Sequence, residues 1–166
     1  MGTRVERDSM GELNVPSDAL YAAQTQRAVE NFPVSGRGMP ESFIRALLTA
    51  KAAAATANVK LEQIPKDVGI AICKAVEQML SCDNFMSHFP VDVFQTGSGT
   101  SSNMNVNEVL GTVASSILGQ AVNPNDHVNC GQSSNDIIPS TIHISAALGL
   151  QQQLLPSLNH LSQAIK

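Results

Sequence analysis

The sequence predicts a mainly α-helical chain. Apolar residues recur at helical spacing in several stretches after residue 41, and strand-like alternation is confined to the head of the chain. Proline and glycine gather largely between the helical stretches. With 166 residues and 43% hydrophobic content, the chain is long enough to bury a core and too apolar to be disordered.

The head reads as extended and turn-rich. Val5, Leu13 and Val15 alternate with polar residues, and Met10-Gly11 supplies a turn, so a short hairpin is expected near 3–15. A short helix is expected over 18–30, starting behind Ser17 or Asp18. From 41 the period becomes helical, with Ile44, Leu47, Leu48, Ala55 and Val59 on one face and the Ala52–Ala55 run suited to close packing. Ile64-Pro65 ends that helix, and Pro65 opens the next, whose stripe is Val68, Ile72, Val76, Met79 and Leu80. Residues 83–104 read as a loop. The helix that follows carries Val106, Val109, Leu110, Val113, Ile117 and Leu118, with Gly119 at its C-terminus. After an irregular stretch over 120–135, a last helix is expected from about Asp136, with Pro139 near its start and a kink at Pro156. Its apolar stripe, Leu148, Leu154, Leu158, Leu161 and Ile165, still runs where the sequence stops.

Charge narrows the function classes. A net charge of −4 argues against nucleic acid or an anionic membrane as the main partner, and no apolar run approaches the ~20 residues of a membrane helix. Charged residues are only 14%, too few for a monomer with a fully wetted surface. Cys73, Cys82 and Cys130 are odd in number and lack C-x-x-C spacing, which reads as free buried thiols in a reducing cytoplasm. Residues 75–165 contain no Lys or Arg, so an anion bound there is held by hydroxyls, amides, backbone N–H groups or a cation from elsewhere.

Two polar clusters stand at expected helix starts. Thr96-Gly97-Ser98-Gly99-Thr100-Ser101-Ser102-Asn103 places glycines and hydroxyls ahead of a helix whose free N–H groups favour an anion. Without a Lys after the glycines or a preceding βαβ pattern, it is no nucleotide motif. The second cluster is Asn123-Pro124-Asn125-Asp126-His127-Val128-Asn129, followed by Gln132-Ser133-Ser134-Asn135-Asp136. On spacing alone each also reads as turn and cap chemistry. Having two of them at helix starts favours a site for a small polyanion. His127, beside Asp126, lacks further ligands at metal spacing and reads as solvated or structurally bonded.

At these clusters the sequence resembles the class II fumarase branch of the fumarase/aspartase superfamily. Gln95–Thr100 with Asn103-Met104-Asn105-Val106-Asn107-Glu108-Val109 is similar to the family's first signature. Pro124–Asn129 with Gln132–Asp136 is similar to its second. The head agrees through Arg4, Glu6, Asp8, Gly11, Val15-Pro16, Ala23–Ala28 and Asn31-Phe32. The resemblance implies the N-terminal helical domain of that fold over 1–132 and the start of its central long-helix bundle over 133–166. It implies reversible hydration of fumarate to (S)-malate, without metal or organic cofactor. Ser98, Thr100, Ser133, Ser134 and Asn135 would hold substrate, and Asn123, Asn125 and Asp126 would belong to a second dicarboxylate site. Asn123, Cys130 and Gly131 depart from the family pattern.

The family's serine base and substrate-facing lysine belong to a Gly-Ser-Ser-x-Met-Pro-x-Lys-x-Asn loop that these 166 residues lack. Catalytic residues are therefore expected beyond Lys166, and the chain alone is expected to be inactive. The family builds each active site from three chains of a homotetramer, which fits the low charge and the unfinished last helix. Ammonia addition, as in aspartate ammonia-lyase, and a non-catalytic helical interaction module are the competing readings.

Overall fold

In the computed structural model, residues 2–8 and 10–165 are described, and Lys166 lies outside them. The expected hairpin is present: β1 (Thr3–Asp8) pairs antiparallel with β2 (Gly11–Pro16), in register from Thr3↔Pro16 to Asp8↔Gly11. The Arg4 guanidinium donates to the carbonyls of Pro16 (2.9 Å), Ala19 (2.7 Å) and Tyr21 (2.7 Å), which pins the chain after β2.

Helix α1 (Ala23–Asn31) starts later than Ser17 or Asp18 would have started it. Its cap comes from a distant part of the chain. Glu108 accepts from the backbone N–H groups of Ala22 (2.9 Å), Gln24 (2.9 Å) and Thr25 (3.1 Å), and from the Thr25 hydroxyl (2.6 Å). A buried carboxylate thus meets the free donors and positive end of the helix together.

Helices α2 (Glu41–Lys60) and α3 (Lys66–Leu80) follow the predicted stripes, with Ile44, Leu47, Leu48, Ile72 and Met79 fully buried. They meet closely at Gly69, where a Cβ would clash with Val59 Cγ2 and force the helices or that side chain to shift. Helix α4 (Thr100–Leu118) begins inside the stretch expected to be loop. Gln95 accounts for the difference: its side-chain oxygen accepts from Ser102 N–H (2.8 Å) and its amide donates to Ser102 Oγ (2.9 Å), capping the first turn from outside. Val106, Val109 and Leu110 then sit at the centre of the core, and Gly119 closes the helix at φ 75°, as expected.

Helix α5 (Ser134–Gly149) starts two residues before Asp136, because Ser133 Oγ accepts from Asn135 N–H (3.3 Å) and so serves as its cap. A π-helical turn over Leu150–Leu154 joins it to α6 (Leu155–Ile165). The irregularity therefore precedes Pro156, with Leu155 itself in ordinary helical geometry (φ −61°, ψ −46°). Only Ile138 and Thr141 of this arm are buried, and Ile142, Leu150, Leu155, Leu158 and Leu161 are half exposed. No helix among the described residues is long and apolar enough to cross a membrane.

Asp92 ties the segment after α1 to the approach to α4, accepting from the N–H groups of Ser35 (2.7 Å), Gly36 (2.8 Å) and Phe94 (2.8 Å). These donors, Phe94 N–H foremost, hold its carboxyl down at about 2, against an ordinary 3.8. The stabilisation is complete above pH 4 and is lost as pH falls toward 2. Thermal unfolding across that window should therefore show a step in Tm that D92N lacks. A D92N curve with the same acid slope as the parent would rule this out.

Candidate functional site

The Thr96–Thr100 loop turns sharply. Ser98 (φ 64°) and Gly99 (φ 66°) are both left-handed, a conformation that costs a non-glycine residue roughly 1 kcal/mol. At Gly99 a Cβ would lie 3.0 Å from Ile138 Cγ2, so the loop presses on the first turns of α5. Thr100 Oγ1 donates back to Gly97 O (3.2 Å), and Ser101 Oγ donates to Thr96 Oγ1 (3.2 Å).

The two polar clusters meet through Asn103. Its amide donates to Ser134 Oγ (3.0 Å) and to Asn129 Oδ1 (3.1 Å), joining the start of α4 to the start of α5. Ser98, Ser133 and Asn135 are exposed, and Thr100 and Ser134 are half-buried, so this junction is open to solvent. Hydroxyls, amides and two helix N-termini thus share one edge of the fold, an arrangement suited to a small carboxylate.

Asn123, Asn125 and Asp126 lie elsewhere. Asn123 Oδ1 accepts from the N–H groups of Asn125 (2.8 Å) and Asp126 (3.1 Å), and His127 Nδ1 accepts from Asn123 N–H (3.0 Å). These bonds close a π-helical turn over Pro124–Val128 that packs on Gly111, where a Cβ would lie 3.0 Å from Pro124 Cγ. At 1.5 Å per residue, Gly111 lies about 16 Å along α4 from Thr100. His127 is structurally bonded, as its isolation suggested.

Two cations come to the site from earlier in the chain, which sequence reasoning missed. Lys51 of α2 is fully buried, and its Nζ donates to Asn129 Oδ1 (3.0 Å) and Gln132 Oε1 (2.8 Å) beneath the second cluster. Burial pushes its pKa down to about 7. The signal was its register, four residues before Ala55 and seven after Ile44, on the buried stripe of α2. Arg27 lies across a cavity of about 370 Å³ that Thr96, Thr100 and Ser101 also line. Its guanidinium is held to Asp8 by two bonds (2.7 and 2.9 Å), an ion pair that draws the Asp8 carboxyl below its usual range. Among the described residues, no group of three or more His, Cys, Asp or Glu is placed to hold a metal.

A protein-family profile described as lyase matches residues 11–166. The chain belongs to that lyase family. Among curated relatives, the chain is 70% identical over 164 residues to "Fumarate hydratase class II 2" of Pseudomonas aeruginosa, covering 99% of this chain and 36% of the relative. It is 54% identical over 162 residues to "Fumarate hydratase class II" of Xylella fastidiosa, covering 98% and 34%. Its fold superposes on a crystal structure of recombinant class II fumarase from Schistosoma mansoni with a TM-score of 0.91 at 44% identity, over 96% of this chain and 35% of that one. A structure of fumarate lyase:delta crystallin from Brucella melitensis gives 0.84 at 43% identity, over 91% and 37%. The chain therefore has the mainly α fold that the resemblance implied, and it spans about a third of the length of these relatives.

Proposed function

We propose that these residues form the N-terminal part of a class II fumarate hydratase, which hydrates fumarate reversibly to (S)-malate. The observation that carries this reading is the Asn103–Ser134 hydrogen bond, which brings the two signature clusters to one edge of the fold. Addition of water passes through a carbanion whose charge spreads into the adjacent carboxylate. Donors fixed around that carboxylate stabilise it most when the charge is greatest.

In this reading Ser98, Thr100, Ser133, Ser134 and Asn135 hold the substrate. Asn123, Asn125 and Asp126 form a second, outlying dicarboxylate site. The base and a substrate-facing cation come from polypeptide outside these residues. Residues 133–166 begin a central helical bundle, and the exposed apolar side chains of α5 and α6 support its completion in a homotetramer. Three free cysteines support a cytoplasmic location.

The reading frame, expressed to its own stop codon, should remove the ultraviolet absorbance of fumarate as malate forms, and ammonium in place of water should give no aspartate. T100A or N135A should lower kcat/KM by about 100-fold, the usual effect of losing one such donor. The 166-residue chain alone should produce no malate. Turnover by that chain, or full activity in both variants, would overturn the assignment.

A further inference from the structure

The bonds beneath the Ser133–Asn135 turn have a fixed direction. While it is protonated, Lys51 Nζ has three hydrogens and nothing to accept with, so the side chains facing it must present oxygen. Asn129 does so with Oδ1 (3.0 Å) and Gln132 with Oε1 (2.8 Å). Because Asn129 Oδ1 is thereby oriented toward Lys51, Asn103 must offer it Nδ2 (3.1 Å). The same Nδ2 then donates to Ser134 Oγ (3.0 Å), so the Ser134 hydroxyl accepts from below and keeps its own hydrogen for another partner.

This orientation has a cost at Asn103. The side chain is 1% exposed, and its Oδ1 has no hydrogen-bond partner among the described residues. Buried polar atoms rarely stay unpaired without a compensating reason. If both amides turned over, Asn103 Oδ1 would sit beside Ser134 and could accept the serine hydrogen. The Ser134 donor would then point into the fold instead of out of it. Local bonding at Asn103 favours the reversed arrangement; the buried ammonium opposes it, seconded by Gln132 O, which accepts from Asn129 Nδ2 (3.2 Å).

We propose that Lys51 is a positioning residue for this site: a donor-only group that sets the polarity of the Lys51–Asn129–Asn103–Ser134 chain, so that Ser134 presents its hydrogen outward to an anion. The role rests on the reading above, in which Ser134 meets a substrate carboxylate. Burial also lowers the Lys51 pKa, as expected of an ammonium surrounded by neutral amides.

The test uses the protein expressed to its own stop codon and labelled with 15N-asparagine, held near pH 6, where Lys51 keeps its proton. In K51M without ligand, the Asn103 and Asn129 side-chain amide resonances should shift. With fumarate, kcat/KM should fall about tenfold, the loss of one hydrogen bond to a charged group. In an S134A background K51M should lower kcat/KM no further, since the donor it orients is already gone. Unchanged amide resonances in K51M, or an equal fall in kcat/KM with and without Ser134, would overturn the proposal. If K51M does not fold, K51R, which remains donor-only, should keep the parent resonances, and K51Q, which can accept, should lose them. Failure of K51R to keep them, or of K51Q to lose them, counts against it equally. If the parent protein does not hydrate fumarate, the functional reading fails by itself, and the resonances still decide the role of Lys51.

Discussion

Replacing Glu108 with alanine should lower the unfolding free energy by about 3–5 kcal/mol, the range for deleting one side of a buried, fully bonded charged group. The carboxylate lies in the core of α4 and accepts four hydrogen bonds, three of them from backbone N–H groups at the start of α1. Alanine leaves those buried donors without their acceptor. E108Q should cost roughly half as much, because its amide keeps one oxygen but turns an N–H group toward other donors. Urea unfolding followed by circular dichroism will show this as a lower midpoint. Limited proteolysis should find new cleavage between residues 22 and 31. An E108A midpoint within error of the parent would mean that α1 is held by its apolar contacts alone.

Stability should also rise with pH above neutrality, and Lys51 should be the cause. Its pKa falls from 10.5 in the unfolded chain to about 7 in the fold because it is desolvated, and among the described residues no carboxylate lies within ion-pair distance of it. Below pH 7 both states carry the proton, so the cost of burying the charge is fully felt. Between 7 and 10.5 the unfolded state binds more protons than the folded one, so unfolding becomes harder by up to about 1.4 kcal/mol per pH unit. The relevant window is pH 7 to 9.5, below the titration of Tyr21, whose hydroxyl pKa is raised by burial. Subtracting the K51M curve from that of the parent should isolate the rise. A flat difference across the window would show that the ammonium stays solvated.

These two residues also mark where sequence reading stopped. The stripes of α2, α3 and α4 were legible because each helix buries one face, and a helical period of apolar residues records that face directly. The hairpin, the Pro65 break and the Gly119 terminus were legible because each depends on the conformational limits of a local residue. The starts of α1, α4 and α5 were displaced from their expected positions. In α1 and α4 the cap is an acceptor from outside the helix, Glu108 more than eighty positions away and Gln95 on the preceding segment. Sequence windows register local caps and cannot see a carboxylate delivered by another helix. The same limit hid Lys51, whose charge suggested solvent while its register placed it inside. Both signature clusters were legible as polar helix starts, but their junction through Asn103 exists only once α4 and α5 are packed together.

The helix that carries Ser134 and Asn135 is anchored at one end. Past Thr141 it runs to Ile165 with no buried residue, a projecting rod of about 36 Å at 1.5 Å per residue. A lever pivoted at its base magnifies rotation, so a tilt of about ten degrees at the Ser133 cap, about 48 Å away, carries the Ile165 end roughly 8 Å. A small rotation of the first turn, which carries Ser134 and Asn135, is thus written as a much larger shift of the exposed apolar residues far along the helix.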